Sequence, residues 1–139
     1  MTAKTDKEFA NGRRRVTLEV TGPNRVVLVL SPPTGSNLTL WSVGPDLPQF
    51  AAPWLDRQAH FVSLLSGKVA EVSEFSLWIE LEMPEKSLNQ SVLSVLVSGQ
   101  HFFGPGKADE AFKGWKDTFP DWVYLSASSS DVKMYDFPL

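Results

Sequence analysis

Histidine is the side chain best suited to acid–base or metal chemistry near neutral pH, and this sequence contains two, with no cysteine. A catalytic zinc ion needs three protein ligands in fixed geometry and an open position for water. His60 and His101 do not form a His-Glu-x-x-His motif, and two phenylalanines follow His101. We therefore expect both to be structural or solvated, with no metal ligand in this chain.

The serines and glycines are not spaced for nucleophilic or phosphate chemistry. Ser66 and Ser98 each precede a glycine, but neither has a glycine two positions before it, as a Gly-x-Ser-x-Gly elbow requires. The segment Gly104 to Lys107 lacks the P-loop spacing, because position 101 is histidine and position 108 is alanine. We predict no catalytic residue and no cofactor, and that this chain is not an enzyme.

Three tryptophans are candidates for a ligand or partner platform, since exposed rings on a β-sheet can stack against sugars or anchor a protein. They are Trp41, Trp54 and Trp78. Trp78 alternates with apolar residues and is predicted on the polar face of its strand. Core packing is the alternative for all three rings.

Two Asn-x-Ser/Thr sequons are candidates for N-glycosylation, each at the start of a predicted strand. They are Asn37-Leu38-Thr39 and Asn89-Gln90-Ser91. Accidental, unmodified sequons are the alternative.

Short apolar-alternating segments between turn residues predict a mostly β fold, an antiparallel β-sandwich of about seven to eight strands. The predicted strands are Arg13–Val20, Arg25–Ser31, Asn37–Ser42, Ala59–Ser66, Glu74–Met83, Gln90–Ser98 and Val132–Phe137. Gly22, Pro23 and Asn24 predict a hairpin between the first two. Continuous apolarity from Val26 to Leu30 indicates a central strand covered on both faces.

One amphipathic helix is predicted near residues 107–119, where Ala108, Phe112, Trp115 and Phe119 recur at helical spacing. We expect this stripe to pack on the sandwich. Residues 1–12 are mixed charged and small polar residues and are expected to be a flexible leader or linker, so that residues 13–139 form a single domain.

Charge and hydropathy exclude two classes of partner. The formal net charge is −3 without a basic stripe, which argues against nucleic acid. The longest aliphatic stretch, Val26 to Leu30, is far shorter than the roughly 20 residues that span a bilayer. No membrane span is expected within this chain.

Several short blocks occur in the order typical of one family. They are Arg14-Arg15-Val16-Thr17, Thr21-Gly22-Pro23, Leu40-Trp41-Ser42, His60-Phe61-Val62, Phe75 to Leu81, and Phe119-Pro120-Asp121-Trp122. In this order they resemble the C-terminal luminal domain of the endoplasmic reticulum metallopeptidase 1 family, multipass membrane proteins related to M28-type zinc aminopeptidases. One departure is Ser66-Gly67, where the family pattern has His-Gly.

The resemblance implies that zinc is held by a separate N-terminal peptidase domain, followed by membrane helices and then by this module in the endoplasmic reticulum lumen. The expected function is a non-catalytic accessory domain with a structural or protein-interaction role. Its expected partners are the peptidase and membrane domains of the parent protein. The alternative is a carbohydrate- or peptide-binding sandwich that uses the three tryptophans.

Overall fold

Two antiparallel sheets account for most of the described chain. The computed structural model describes residues 2–10, 13–47, 52–54, 57–67, 72–83, 91–101, 110–122 and 129–139. Its elements are β1 (Thr2–Ala10), β2 (Arg13–Gly22), β3 (Arg25–Ser31), β4 (Asn37–Trp41), β5 (Ala52–Trp54), β6 (Arg57–Leu65), β7 (Ser73–Glu82), β8 (Val92–His101), α1 (Glu110–Lys116) and β9 (Ser129–Pro138).

The strand order is β1-β2-β7-β4 in the four-stranded sheet and β5-β6-β3-β8-β9 in the five-stranded sheet. One hydrophobic core contains residues of both sheets, so the sheets pack face to face. The predicted antiparallel β-sandwich is confirmed, and each of the seven predicted strands is present. The described residues also contain β1 and β5, which the sequence pattern did not indicate.

The core is built by alternation along the strands. In β7, Leu77, Ile79 and Leu81 are at most 2% exposed, while the residues between them face outward. The same holds for Leu93, Val95 and Val97 of β8, which are fully buried. The predicted inward faces of these two strands are therefore confirmed.

The predicted hairpin between β2 and β3 is wrong, because these strands belong to different sheets. Gly22 and Pro23 are buried, and the chain here passes from one sheet to the other. Asn24 holds this corner: its carbonyl accepts from the Ser66 N–H at 2.7 Å, and its Oδ1 accepts from the Ser73 hydroxyl at 2.8 Å. A short turn between two apolar strands looks alike in sequence whether the strands pair or face each other.

The N-terminal segment differs from the flexible leader that its composition predicts. Thr2–Ala10 forms β1 and pairs with β2 along its whole length, from Thr2 opposite Thr21 to Ala10 opposite Arg13. Backbone pairing to an available sheet edge does not require an apolar sequence, which is why composition alone did not indicate the strand.

The helix is present, ends earlier than predicted and is exposed where described. It spans Glu110–Lys116, while residues 107–109 and the side chain of Phe112 lie outside the description. Trp115 is 49% exposed and Phe119 36%, and their rings meet edge to face with centroids 4.9 Å apart. These two members of the predicted stripe thus contact each other, and the expectation that they are buried against the sandwich is wrong.

Candidate functional site

The outer face of the four-stranded sheet carries a cross-strand cluster of Arg15, Trp78 and Glu80. Arg15 lies directly opposite Glu80 in the β2–β7 register. Its Nε donates to Glu80 Oε1 at 3.1 Å, and its Nη2 donates to the same oxygen. Its guanidinium carbon lies 4.4 Å from the centre of the Trp78 ring. The guanidinium of Arg15 therefore both hydrogen-bonds the Glu80 carboxylate and covers one face of the Trp78 ring.

Glu80 is the least exposed charged member of this cluster. Its side chain is 13% exposed, against 43% for Arg15 and 48% for Arg13, whose Nη1 lies 3.9 Å from Glu80 Oε2. The Glu80 carbonyl also accepts from the Thr39 hydroxyl at 3.3 Å. These contacts join β2, β7 and β4, which indicates a structural role for the cluster.

The structure does not bring the predicted tryptophans together. Trp41, opposite Ile79, packs against the core and donates from Nε1 to the Asp46 carbonyl at 3.2 Å. Trp78 lies on the other face of the same sheet, with Arg15 over its ring. Trp54 belongs to β5 of the five-stranded sheet, and its side chain lies outside the description.

A β-bulge explains the position of Trp41. The β4–β7 register shifts between Leu38 and Leu40, so that Leu38 faces Leu81 while Trp41 faces Ile79. Without the extra residue, period-two alternation would put Leu38 and Trp41 on opposite faces. The bulge turns both toward the core and leaves Leu40 44% exposed.

His60 is buried in the sandwich interior and has no hydrogen-bond partner among the described residues. It lies opposite Leu30 and is 6% exposed. Both Nδ1 and Nε2 are buried without a partner in this part of the chain. Burial removes solvent from the ring and lowers the pKa of His60 below the usual 6.5. The histidine is held in its neutral form at neutral pH.

His101 lies at the other end of the five-stranded sheet. Its Nε2 is 3.2 Å from Asp131 Oδ2 on β9. Leu30, the partner of His60, also pairs with Val95, six residues before His101 on β8. At a rise of about 3.3 Å per residue the two histidines are about 20 Å apart. The described residues contain no group of three His, Asp or Glu side chains that could hold a metal ion.

The outer face of the five-stranded sheet is apolar where the other outer face is charged. Phe61, Val29, Leu96 and Met134 lie side by side on β6, β3, β8 and β9, and we call these four residues the apolar row. Phe61 is 57% exposed and Met134 52%, whereas Val29 between them is 9% exposed. The row is therefore an apolar strip across four strands that is exposed at its two ends, Phe61 and Met134.

An exposed valine extends the apolar row on one side, and a group of hydrogen-bonded polar side chains borders it on the other. Val132, opposite Ser98, adds a further side chain that is 57% exposed. On the other side, the Ser94 hydroxyl donates to Asp136 Oδ1 at 2.6 Å and accepts from Arg57 Nη1 at 3.4 Å. An apolar strip with a polar border is typical of a protein-interaction surface.

Sequence reasoning named Trp78 as a candidate but missed Arg15, Glu80 and the apolar row, although signals for both surfaces are present. The continuous apolar run Val26 to Leu30 predicted cover on both faces of β3, and Val29, on the outer face, is 9% exposed. Phe61 and Met134 lie on β6 and β9, and the local sequence does not show that these two strands belong to the same sheet. The same is true of Arg15 and Glu80, which lie 65 residues apart.

Comparison with known proteins gives one consistent result. The family model described as "Endoplasmic reticulum metallopeptidase 1, C-terminal domain" matches residues 1–135. The chain is similar to endoplasmic reticulum metallopeptidase 1 of Rattus norvegicus, 27% identical over 123 residues, which is 88% of this chain and 13% of the relative. The Homo sapiens protein is 27% identical over 113 residues, covering 81% and 12%. No solved structure matches.

The family match begins within the N-terminal segment, so β1 lies inside the matched region. The chain spans about an eighth of the length of the curated relatives it matches. Among the described residues, no helix has the length and apolarity needed to cross a membrane.

Proposed function

Because this chain belongs to the family of endoplasmic reticulum metallopeptidase 1 C-terminal domains, we propose that it is a non-catalytic accessory domain of a membrane-bound zinc metallopeptidase. We place it in the endoplasmic reticulum lumen, with a structural or protein-interaction role. The observation that carries this proposal is the exposed apolar row on the five-stranded sheet.

The proposed occupant of the apolar row is the remainder of the same longer protein, its peptidase and membrane domains. Relatives are many times longer than this chain, which covers 13% of the rat protein. An apolar strip of this kind is unfavourable in water and is stabilised when a partner covers it. Phe61 and Met134, the two most exposed members, are the natural anchors.

The donor set of the described residues does not fit the metal centre that the family name implies. Among the described residues, His60 is enclosed by the core and His101 is paired with Asp131 at the opposite sheet end. We therefore assign zinc and peptide cleavage to the separate peptidase domain. In the full-length protein, His60→Leu and His101→Leu leave peptidase turnover unchanged at equal protein level. Loss of turnover in a folded His101→Leu protein would contradict the non-catalytic role.

Docking is tested in the full-length protein by adding one glycan to either outer face. Phe61→Asn completes a sequon with Val62 and Ser63 on the five-stranded sheet. Glu19→Asn is the matched control, because it completes a sequon with Val20 and Thr21 on the four-stranded sheet. Phe61→Gln controls for loss of the ring alone. The readouts are glycan occupancy, protein level and protease resistance of the assembled protein.

The expected result is that Phe61→Asn is glycosylated and lowers the level and protease resistance, whereas Glu19→Asn is glycosylated and tolerated. If both glycosylated variants resist protease like the wild type, the apolar row is not the docking surface. The protein also carries a C-terminal sequon tag as a reporter of luminal exposure. If the tag is glycosylated but neither added sequon is, docking is still supported when Phe61→Asn lowers the protein level and protease resistance more than Phe61→Gln does. A tag without glycan contradicts the luminal placement.

A further inference from the structure

We infer that Asn37 carries an N-linked oligosaccharide, which makes the outer face of the four-stranded sheet the solvent-facing side of the domain in the full-length protein. This inference rests on the proposed luminal placement, because the transferase and its lipid-linked sugar donor act in that compartment. The second sequon residue, Asn89, lies outside the described residues.

A tight turn presents Asn37 at the start of β4. Gly35 adopts a φ of 82°, in the left-handed region that favours glycine. The Pro33 carbonyl accepts two hydrogen bonds from Ser36, from its N–H at 3.1 Å and from its hydroxyl at 2.6 Å. The turn ends immediately before Asn37, so the sequon begins where the chain emerges from it.

The side chain of Asn37 is exposed and has no hydrogen-bond partner among the described residues. It lies opposite Glu82, which is also exposed, whereas the next pair, Leu38 and Leu81, faces the core. Directly opposed residues share a sheet face. Asn37 therefore points to the outer face, and β4 is the edge strand of its sheet. A glycan attached there extends from the outer face at the edge of the sheet, away from the core.

Thr39, the third residue of the sequon, indicates that glycan transfer comes before folding of β4. Thr39 donates its hydroxyl to the Glu80 carbonyl at 3.3 Å once β4 is paired with β7. A paired strand with an engaged hydroxyl is closed to an enzyme that reads this residue, so transfer takes place on the nascent chain. The Asn37 amide nitrogen forms a bond to the anomeric carbon of an oligosaccharide on a polyprenyl pyrophosphate. The bond from that carbon to the pyrophosphate oxygen breaks, the lipid pyrophosphate leaves, and the amide loses one proton.

The position of the glycan separates the two outer faces by function. A hydrated oligosaccharide on the charged four-stranded face keeps that face in water and leaves the apolar row on the opposite side of the sandwich. An attached glycan at an edge strand also hinders pairing with another chain.

The test uses the full-length protein with a C-terminal sequon tag, made in a eukaryotic cell. Trypsin releases residues 26–57 intact, since no lysine or arginine lies between Arg25 and Arg57, and Asn37 is the only asparagine in this peptide. Removal of the glycan by peptide N-glycosidase in heavy-oxygen water marks an occupied asparagine by its mass. The variants are Asn37→Gln and Thr39→Ala, with Thr39→Ser as the matched variant that keeps the sequon.

We expect the Asn37 peptide to be labelled in the wild type and in Thr39→Ser, and unlabelled in Asn37→Gln and Thr39→Ala, with protease resistance of Asn37→Gln unchanged. An unlabelled wild-type peptide beside a glycosylated tag overturns the glycan and leaves the luminal placement intact. An unglycosylated tag overturns both. Asn37→Gln could lose protease resistance when enzymatic deglycosylation of the wild type does not. That result would contradict a solvent-facing Asn37 side chain.

Discussion

The guanidinium of Arg15 lies over the ring of Trp78 at 4.4 Å while it donates two hydrogen bonds to Glu80. Trp78 is the tryptophan that alternation places on the polar face, and in the structure one face of its ring is already covered by Arg15. A ligand that stacks on this face must displace the guanidinium from its carboxylate. The cluster therefore favours stabilisation of the β2–β7 pair over sugar binding at Trp78.

Replacement of Arg15 by alanine removes the bonds to Glu80 and the cover on Trp78 together. We expect Arg15→Ala to lower the free energy of unfolding of this chain by about 1 kcal/mol, since each contact is partly solvent-screened. Urea denaturation measures this loss. Arg13→Ala is the matched control, because its nearest contact with Glu80 is 3.9 Å, and its effect is smaller. Equal losses for the two variants would show that the cluster has no special role.

His60 is the core position at which a substitution should stabilise the fold. An unpaired buried polar group costs about 1–3 kcal/mol, and both ring nitrogens lack partners among the described residues. His60→Leu keeps a similar volume and is expected to raise the free energy of unfolding by about 1 kcal/mol at neutral pH. His101→Leu serves as the control, with no gain expected. Destabilisation by His60→Leu would indicate a partner for the ring.

The pKa of His60 also predicts the pH dependence of stability. Its folded value lies below the usual 6.5, because burial disfavours the charged ring. Above pH 6.5 the His60 ring is neutral in both the folded and the unfolded state, so its protonation does not reduce the free energy of unfolding. As pH falls below 6.5, the unfolded state takes up a proton before the folded state does, so stability is lost until the folded pKa is passed.

Unfolding free energies measured from about pH 8 to about pH 5 test this linkage. Wild type should lose more stability than His60→Leu in the window just below 6.5. Parallel curves for the two proteins would mean that the pKa of His60 is the same in both states.

Gly35 is the turn position where a side chain should be costly. At a φ of 82°, alanine is strained by about 1 kcal/mol, and Gly35→Ala is expected to lower the unfolding free energy by that amount. Gly44→Ala is the control, because an added Cβ there meets no heavy atom within 4 Å. Thermal or urea denaturation compares the two. A Gly35→Ala protein as stable as the Gly44→Ala protein would argue against a left-handed requirement.

The period-two pattern was sufficient for seven of the strands, for their inward residues and for the fold class, because alternation is a local property of the chain. It correctly placed Leu77, Ile79 and Leu81 in the core. It could not show that β2 pairs with β7 and β3 with β8, since register depends on contacts distant in sequence. The hairpin error at Gly22 to Asn24 has this origin.

The candidate surfaces depend on the same distant contacts. Alternation placed Trp78 on the polar face of β7, but it could not place Trp41, because a bulge at Leu38–Leu40 turns that ring toward the core. Phe61 and Met134 are ordinary apolar residues of separate strands, and only the strand order makes them part of one surface. Asn37, in contrast, was identified by its local sequon, and the structure adds its face and exposure.

Site-specific photo-crosslinking in the full-length protein tests the docking claim most directly. A photoreactive phenylalanine replaces Phe61 or Met134 on the apolar row, or Thr17 on the four-stranded face as the control. The account predicts intramolecular crosslinks from positions 61 and 134 to peptides of the peptidase or membrane domains, and none from position 17. Crosslinks from position 17 alone, or none from either face while the probe reacts with solvent, would contradict it.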